Sequence, residues 1–204
     1  MAQEVSLQGS TRPLPGLRRQ NLAHIHPEIL LVEDDMEDVM FIERAFRQVL
    51  PVARLNVLHQ GEEAIAYLLG EGRYAERGRY PMPDLILLDL QIPRKSGLEV
   101  LAWIWEQPKL KPIRVVVLTG SQKSADIQRV REFDACYQLK PASFSELTAF
   151  LEKICHRWLN PRSSDRRKMR RPDPVKLKSA ARSISRYSAS VSRRTGSGND
   201  ATSM

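Results

Sequence analysis

Asp84-Leu85-Ile86-Leu87-Leu88-Asp89, followed by Leu90-Gln91-Ile92-Pro93-Arg94-Lys95-Ser96-Gly97, puts a four-residue apolar run directly before an acidic side chain. Consecutive apolar residues with no helical period describe a strand buried on both faces. The Pro and Gly behind them describe a loop. Asp89 therefore stands at the C-terminal end of an inner parallel strand, the edge at which open α/β sheets place their sites. Alone, Asp89 reads equally well as a turn or helix-cap residue. Its partners elsewhere in the chain decide between the two.

On either side of this strand the pattern alternates. Strands are predicted at 28–33, 53–58, 84–89, 113–119 and 135–139, and helices at 35–49, 61–69, 98–106, 123–133 and 143–158. In the first helix Val39, Ile42, Ala45, Phe46 and Val49 share one face, and Pro51 ends it. Five βα units predict an α/β fold, a doubly wound parallel sheet with helices on both faces. Residues 70–83 form a long loop rich in Gly, Arg and Tyr. In the third helix Trp103 and Trp105 cannot share a face, so one is expected in the core and the other exposed or at an interface.

The net charge of +8 is unevenly spread. Residues 161–204 hold 12 Lys and Arg against 3 Asp and Glu, a net +9, which leaves −1 for the first 160 residues. The basic character thus belongs to the tail and says little about the folded part. Cys136 and Cys155 lie in apolar contexts and read as buried reduced thiols, not a disulfide framework. No stretch reaches the ~18 apolar residues of a membrane span. Residues 1–26, polar and holding Pro13, Pro15, Arg18 and Arg19, lack the apolar core of a signal peptide and read as a flexible leader. A cytoplasmic protein is expected.

Several strand ends place polar residues on one sheet edge: Glu33-Asp34-Asp35 after the first strand, Asp89 after the third, Thr119 after the fourth and Lys140 after the fifth. Clustered carboxylates repel one another unless a cation joins them. Few, hard oxygen ligands suit Mg²⁺, which keeps waters and bridges to phosphate oxygens. Lys140 offers a point charge for a phosphoryl oxygen and Thr119 a hydroxyl. Asp89 beside such a metal can act as a nucleophile. The blander readings are acids enriched at a helix N-terminus with Asp35 as cap, a strand threonine, a core tyrosine at 137 and a solvated lysine. His24, His26, His59 and His156 show no ligand spacing.

Over residues 27–160 the chain resembles the receiver domain of two-component response regulators. The resemblance rests on Ile29-Leu30-Leu31-Val32-Glu33-Asp34-Asp35, Leu87-Leu88-Asp89-Leu90-Gln91-Ile92-Pro93, Gly97, Val117-Leu118-Thr119-Gly120-Ser121 and Tyr137-Gln138-Leu139-Lys140-Pro141. It implies a flavodoxin-like (βα)5 fold of strand order 2-1-3-4-5. It implies Asp89 as phosphoacceptor, Asp34 as a direct Mg²⁺ ligand, Glu33 acting on the metal through water, and the Gln91 backbone carbonyl as a further ligand. Thr119 and Tyr137 become the switch pair, Lys140 the phosphoryl-binding lysine, and the Lys140–Pro141 bond is expected to be cis. The loop 70–83 and the run 87–93 resemble the single-domain receivers associated with phytochrome-type histidine kinases. One departure is that the turn into the fifth strand, Glu132-Phe133-Asp134-Ala135, lacks the Gly that receivers usually place there; Asp tolerates a left-handed backbone.

The function expected is a phosphorelay switch that catalyses its own phosphorylation and dephosphorylation. It takes its phosphoryl group from a sensor histidine kinase, signals to a downstream protein by surface contacts without a DNA-binding domain, and pairs as a homodimer on the analogy of the subgroup. The alternative is a phosphorylation-independent adaptor acting through the tail. Residues 161–204 hold ten Ser and read as disordered. They read alternatively as a basic amphipathic helix with Leu177, Ala180, Ala181, Ile184, Tyr187 and Val191 on one side, suited to a membrane surface or an acidic partner, with Arg166-Arg167-Lys168-Met169-Arg170-Arg171 adding nonspecific electrostatic binding to nucleic acid or anionic lipid. A phosphatase with an aspartyl intermediate needs a second acid two residues past its nucleophile, and position 91 is Gln.

Overall fold

The computed structural model of the protein describes residues 26–133 and 135–159. The expectations for the leader, for the basic tail and for Asp134 lie outside these residues.

Five parallel strands, β1 (Glu28–Val32), β2 (Arg54–Leu58), β3 (Leu85–Leu88), β4 (Arg114–Thr119) and β5 (Cys136–Leu139), form one sheet of order β2-β1-β3-β4-β5. Each is followed by a helix: α1 (Met36–Val49), α2 (Gly61–Leu69), α3 (Gly97–Glu106), α4 (Ser124–Glu132) and α5 (Phe144–Trp158). The order 2-1-3-4-5 and the doubly wound layering are those expected. β1 and β3 are buried along their whole length because helices cover both faces. Leu30, Val32, Ile86, Leu88, Val115 and Val117 point to the side of α2, α3 and α4. Ile29, Leu31, Leu85, Leu87, Val116 and Leu118 point to the side of α1 and α5. Each fully buried Leu or Ile contributes about 1.5–3 kcal/mol, so the inner strands anchor the sheet, while the β5 edge is only half-buried.

The helix starts follow local chemistry. Asp35 caps α1, its Oδ1 accepting from Glu37 N at 2.8 Å and Asp38 N at 3.2 Å. Ser96 and Glu99 form a capping box on α3, and Ser143 accepts from Glu146 N at the start of α5. Gly70, with φ of 74°, closes α2 in a left-handed cap.

The loop 70–83 is more ordered than its composition suggests. It holds a 3₁₀ turn (Gly72–Ala75) and stacks Tyr74 and Tyr80 against Tyr67 at centroid distances of 5.1 to 6.1 Å. Arg77 donates to the carbonyls of Tyr67, Leu68 and Tyr80, which satisfies the end of α2. A second 3₁₀ turn, Pro108–Leu110, follows α3.

Two expectations need correction. Trp103 and Trp105 are both half-buried against the same core. The buried stripe of α3 is Val100, Leu101 and Ile104, and the two indoles flank it at about 100° to either side, so neither occupies the centre. Among the described residues no peptide bond is cis, so Lys140–Pro141 is trans, the isomer that X–Pro bonds favour unless packing imposes the other.

Candidate functional site

The sheet order sets β1 and β3 side by side, with Val32 paired to Leu88. The next residues, Glu33 and Asp89, thus emerge together at the C-terminal edge. Asp89 N donates to Val32 O at 3.0 Å and Glu33 N to Leu58 O at 2.9 Å. Both side chains are buried, at 5% and 1% exposure, whereas Asp34 is exposed. Glu33, Asp34 and Asp89 each offer a carboxylate oxygen within 4.8 Å of the others. Three acids so close, with hard oxygen donors and two of them buried, fit a divalent cation such as Mg²⁺.

Lys140 follows β5, and its backbone N donates to Thr119 O at 2.9 Å. Its Nζ lies 2.8 Å from Glu33 Oε2, 3.2 Å from Asp89 Oδ2 and 2.6 Å from Asp38 Oδ2. Burial pushes the Glu33 carboxyl up to about 7, and the Asp89 charge adds to this, while Lys140 opposes both. Burial also works against the Lys140 ammonium, but the hydrogen bonds from Asp38 and Glu33 and the Asp89 charge outweigh it and hold its pKa above the ordinary range. His59 Nδ1 donates to Glu33 O at 2.8 Å and fixes the backbone there.

The loop carrying Asp89 into α3 is clamped by two glycines. A Cβ on Gly97 would lie 2.0 Å from Asp89 O, and one on Gly61 would lie 2.1 Å from Lys95 O. Gly61 N donates to Pro93 O and Gly97 N to Leu90 O. Arg94 between them adopts a left-handed φ of 67°. Gln91 is exposed on this loop, two residues past Asp89.

Thr119 is fully buried, and its Oγ1 accepts from Ser121 N at 3.3 Å. The Tyr137 hydroxyl donates to Ser121 O, and Ser121 Oγ donates to Asp126 Oδ2 at 2.9 Å at the start of α4. The residues singled out from sequence, Glu33, Asp34, Asp89, Thr119 and Lys140, thus meet on one edge, with Tyr137 joined to it through Ser121. Asp38 went unnoticed in the sequence because an acid in the first turn of a helix reads as a dipole or solvation residue. The Ser121–Asp126 pair was missed because neither residue sits in a recognisable spacing.

Residues 29–152 match the family described as the response regulator receiver domain. The chain is 39% identical over 132 residues to the probable methanogenesis regulatory protein FilR2 of Methanothrix harundinacea, covering 64% of this chain and 83% of that one. It is 38% identical over 132 residues to response regulator Rcp1 of Synechocystis, covering 64% and 88%. The structure is similar to that of the phosphorylated cyanobacterial phytochrome response regulator RcpA, with TM-score 0.61, 40% identity, and coverage of 66% and 95%. It is similar also to the Mn²⁺-bound form of Rcp1, with TM-score 0.59, 37% identity, and coverage of 66% and 96%. Among the described residues no helix is long and apolar enough to cross a membrane.

Proposed function

The chain belongs to the response regulator receiver domain family, and we propose that it accepts a phosphoryl group from a phosphohistidine of a sensor kinase onto Asp89. The observation that carries this is the convergence of Asp89, Glu33, Asp34 and Lys140 within hydrogen-bonding or ligand distance on one sheet edge. An Asp89 oxygen attacks phosphorus, the new O–P bond forms as the P–N bond breaks, and the imidazole leaves with a proton taken from solvent. Glu33, Asp34, Asp89 and the Gln91 backbone carbonyl would hold Mg²⁺. The metal supplies charge neutralisation for the phosphoryl oxygens, which is most of what such a transfer requires. Lys140 binds a phosphoryl oxygen as a point charge. Thr119 turns its hydroxyl to the same group, and Tyr137 follows by releasing Ser121. The outcome is a population shift in the face formed by α4, β5 and α5.

The relatives named above include phytochrome response regulators, which supports a phytochrome-type histidine kinase as donor. A downstream protein read through the altered face, a homodimer and a cytoplasmic location complete the reading. A phosphorylation-independent adaptor is disfavoured because no such role requires the acids, Asp89 and Lys140 to converge.

The test is incubation of the full chain and its Asp89→Asn variant with acetyl phosphate and Mg²⁺, followed by intact mass. One Mg²⁺-dependent phosphoryl adduct on the wild type alone is expected. An equally stable adduct on the variant would overturn the assignment of Asp89.

A further inference from the structure

Lys140 is held by three carboxylates, and the closest is not one of the cation-site acids. Its Nζ lies 2.6 Å from Asp38 Oδ2, against 2.8 Å to Glu33 and 3.2 Å to Asp89. Glu33 and Asp89 belong with Asp34 to the acidic triad, and Asp38 does not. Asp38 sits in the first turn of α1, its backbone N tied to the Asp35 cap, while its carboxylate reaches across to the end of β5, 102 residues later. The Lys140 side chain retains 20% exposure. Beside it a cleft of about 180 Å³ opens, lined by Asp38, Phe41, Leu118, Lys140, Pro141 and Phe144. The cleft leaves space on the Asp38 side of the ammonium, which lies within 3.2 Å of both Asp38 and Asp89.

Resting on the reading of Asp89 as phosphoacceptor, we propose that Asp38 is a positioning residue that holds Lys140 in the resting arrangement and competes for it with the group carried on Asp89. A cation at the triad draws on Glu33 and Asp89, and Asp38 is then the carboxylate left to Lys140. A phosphoryl group on Asp89 must win the ammonium from Asp38 before Lys140 can neutralise it. Whatever stabilises the resting pair is subtracted from the phosphorylated form, because a ligand shifts an equilibrium only by its differential affinity for the two states. Asp38 is 39% exposed, so solvent screens the pair and its effect is several-fold rather than hundreds-fold. Asp38 thus sets how readily the site is occupied and how long the phosphoryl group persists.

The experiment uses the full chain at saturating Mg²⁺, with beryllofluoride as the acyl-phosphate mimic and ¹⁹F NMR to read its dissociation constant. Asp38→Asn and Asp38→Ala are expected to tighten binding by about three- to tenfold, and Asp38→Glu to return it toward wild type. Glu37→Gln removes the same charge from the same helical turn at an exposed position, and is expected to change binding less than twofold. In the metal-free protein, the Lys140 ammonium resonance in ¹H–¹⁵N spectra should shift and exchange faster in Asp38→Ala but not in Glu37→Gln. Weaker or unchanged beryllofluoride binding in both Asp38 variants, or an equal effect of Glu37→Gln, overturns the proposal while leaving the reading of Asp89 intact. Wild-type binding that survives Asp89→Asn, or is absent altogether, overturns that reading and the proposal with it.

Discussion

The Tyr137 hydroxyl donates to the backbone carbonyl of Ser121, so a phenol on the edge strand fastens the loop that leaves Thr119. Ser121 N turns back to Thr119 Oγ1 and Ser121 Oγ reaches Asp126. One short loop therefore links the buried threonine of the site to the first turn of α4 and to β5. Any rearrangement of Thr119 toward Asp89 must be accommodated in this loop.

Tyr137→Phe removes the fastening without emptying the space the ring fills. The expected cost is about 0.5–1.5 kcal/mol, read as a lower urea midpoint. Amide hydrogen exchange should accelerate at 121–125 and stay unchanged in β1 and β3. Uniform acceleration across the sheet would instead mark the ring as a general core contact.

The Glu33 carboxyl, raised to about 7 by burial, gives the metal-free protein a definite pH dependence. Its folded value lies above the ordinary 4.5, so its contribution to stability is complete below that pH and is lost as pH rises through about 7. In EDTA, the urea midpoint should fall between pH 5 and 8. Mg²⁺ takes the ionised carboxylate, so its affinity should rise over the same interval and level off above it. Glu33→Gln should flatten both curves.

The same glycine substitution is expected to have different outcomes at the start of α3 and in the loop after β4. A methyl at Gly97 would collide with the Asp89 carbonyl, whereas one at Gly120 meets nothing within 4 Å. Gly97→Ala should lose about 1–3 kcal/mol or more and slow labelling of Asp89 by acetyl phosphate. Gly120→Ala should unfold within about 0.5 kcal/mol of wild type. Chemical denaturation of the two variants side by side decides this.

Arg77→Met keeps much of the aliphatic stem but drops donors to three carbonyls. Charged donors contribute about 1.5–3 kcal/mol each when buried, less at half-exposed sites, and the expected loss is about 2 kcal/mol. Limited proteolysis should then cut within 70–83 first. Resistance there would show that the stacked tyrosines alone hold the loop.

The fold was legible because the strand at the centre of the sheet, β3, is made of nothing but apolar side chains. Leu85-Ile86-Leu87-Leu88 permits no amphipathic reading, so its environment is dictated by composition. The acidic triad was legible for a related reason: parallel strands end on one edge, where Glu33 and Asp34 follow β1 and Asp89 follows β3. Asp38 was not legible, because its role depends on how α1 lies against the end of β5, a distance no local pattern encodes. The two tryptophans of α3 show a further limit. A rule about which residues share a face fixes their separation, but not where the buried stripe falls between them. The tyrosine-packed loop was hidden by its composition, since Gly, Arg and Tyr signal irregular chain unless rings and carbonyls find partners that only the fold supplies.

Parallel strands have one more consequence. β1 begins at Glu28 and α5 ends at Trp158, and both points lie on the rim away from Asp89, because α5 runs back for fifteen residues, roughly 22 Å, antiparallel to the sheet. The domain is therefore hung by both ends from one side. A reporter attached after Leu159 would join the described domain on the side away from the acidic triad. From that point of attachment, the length of α5 separates the reporter from Asp89.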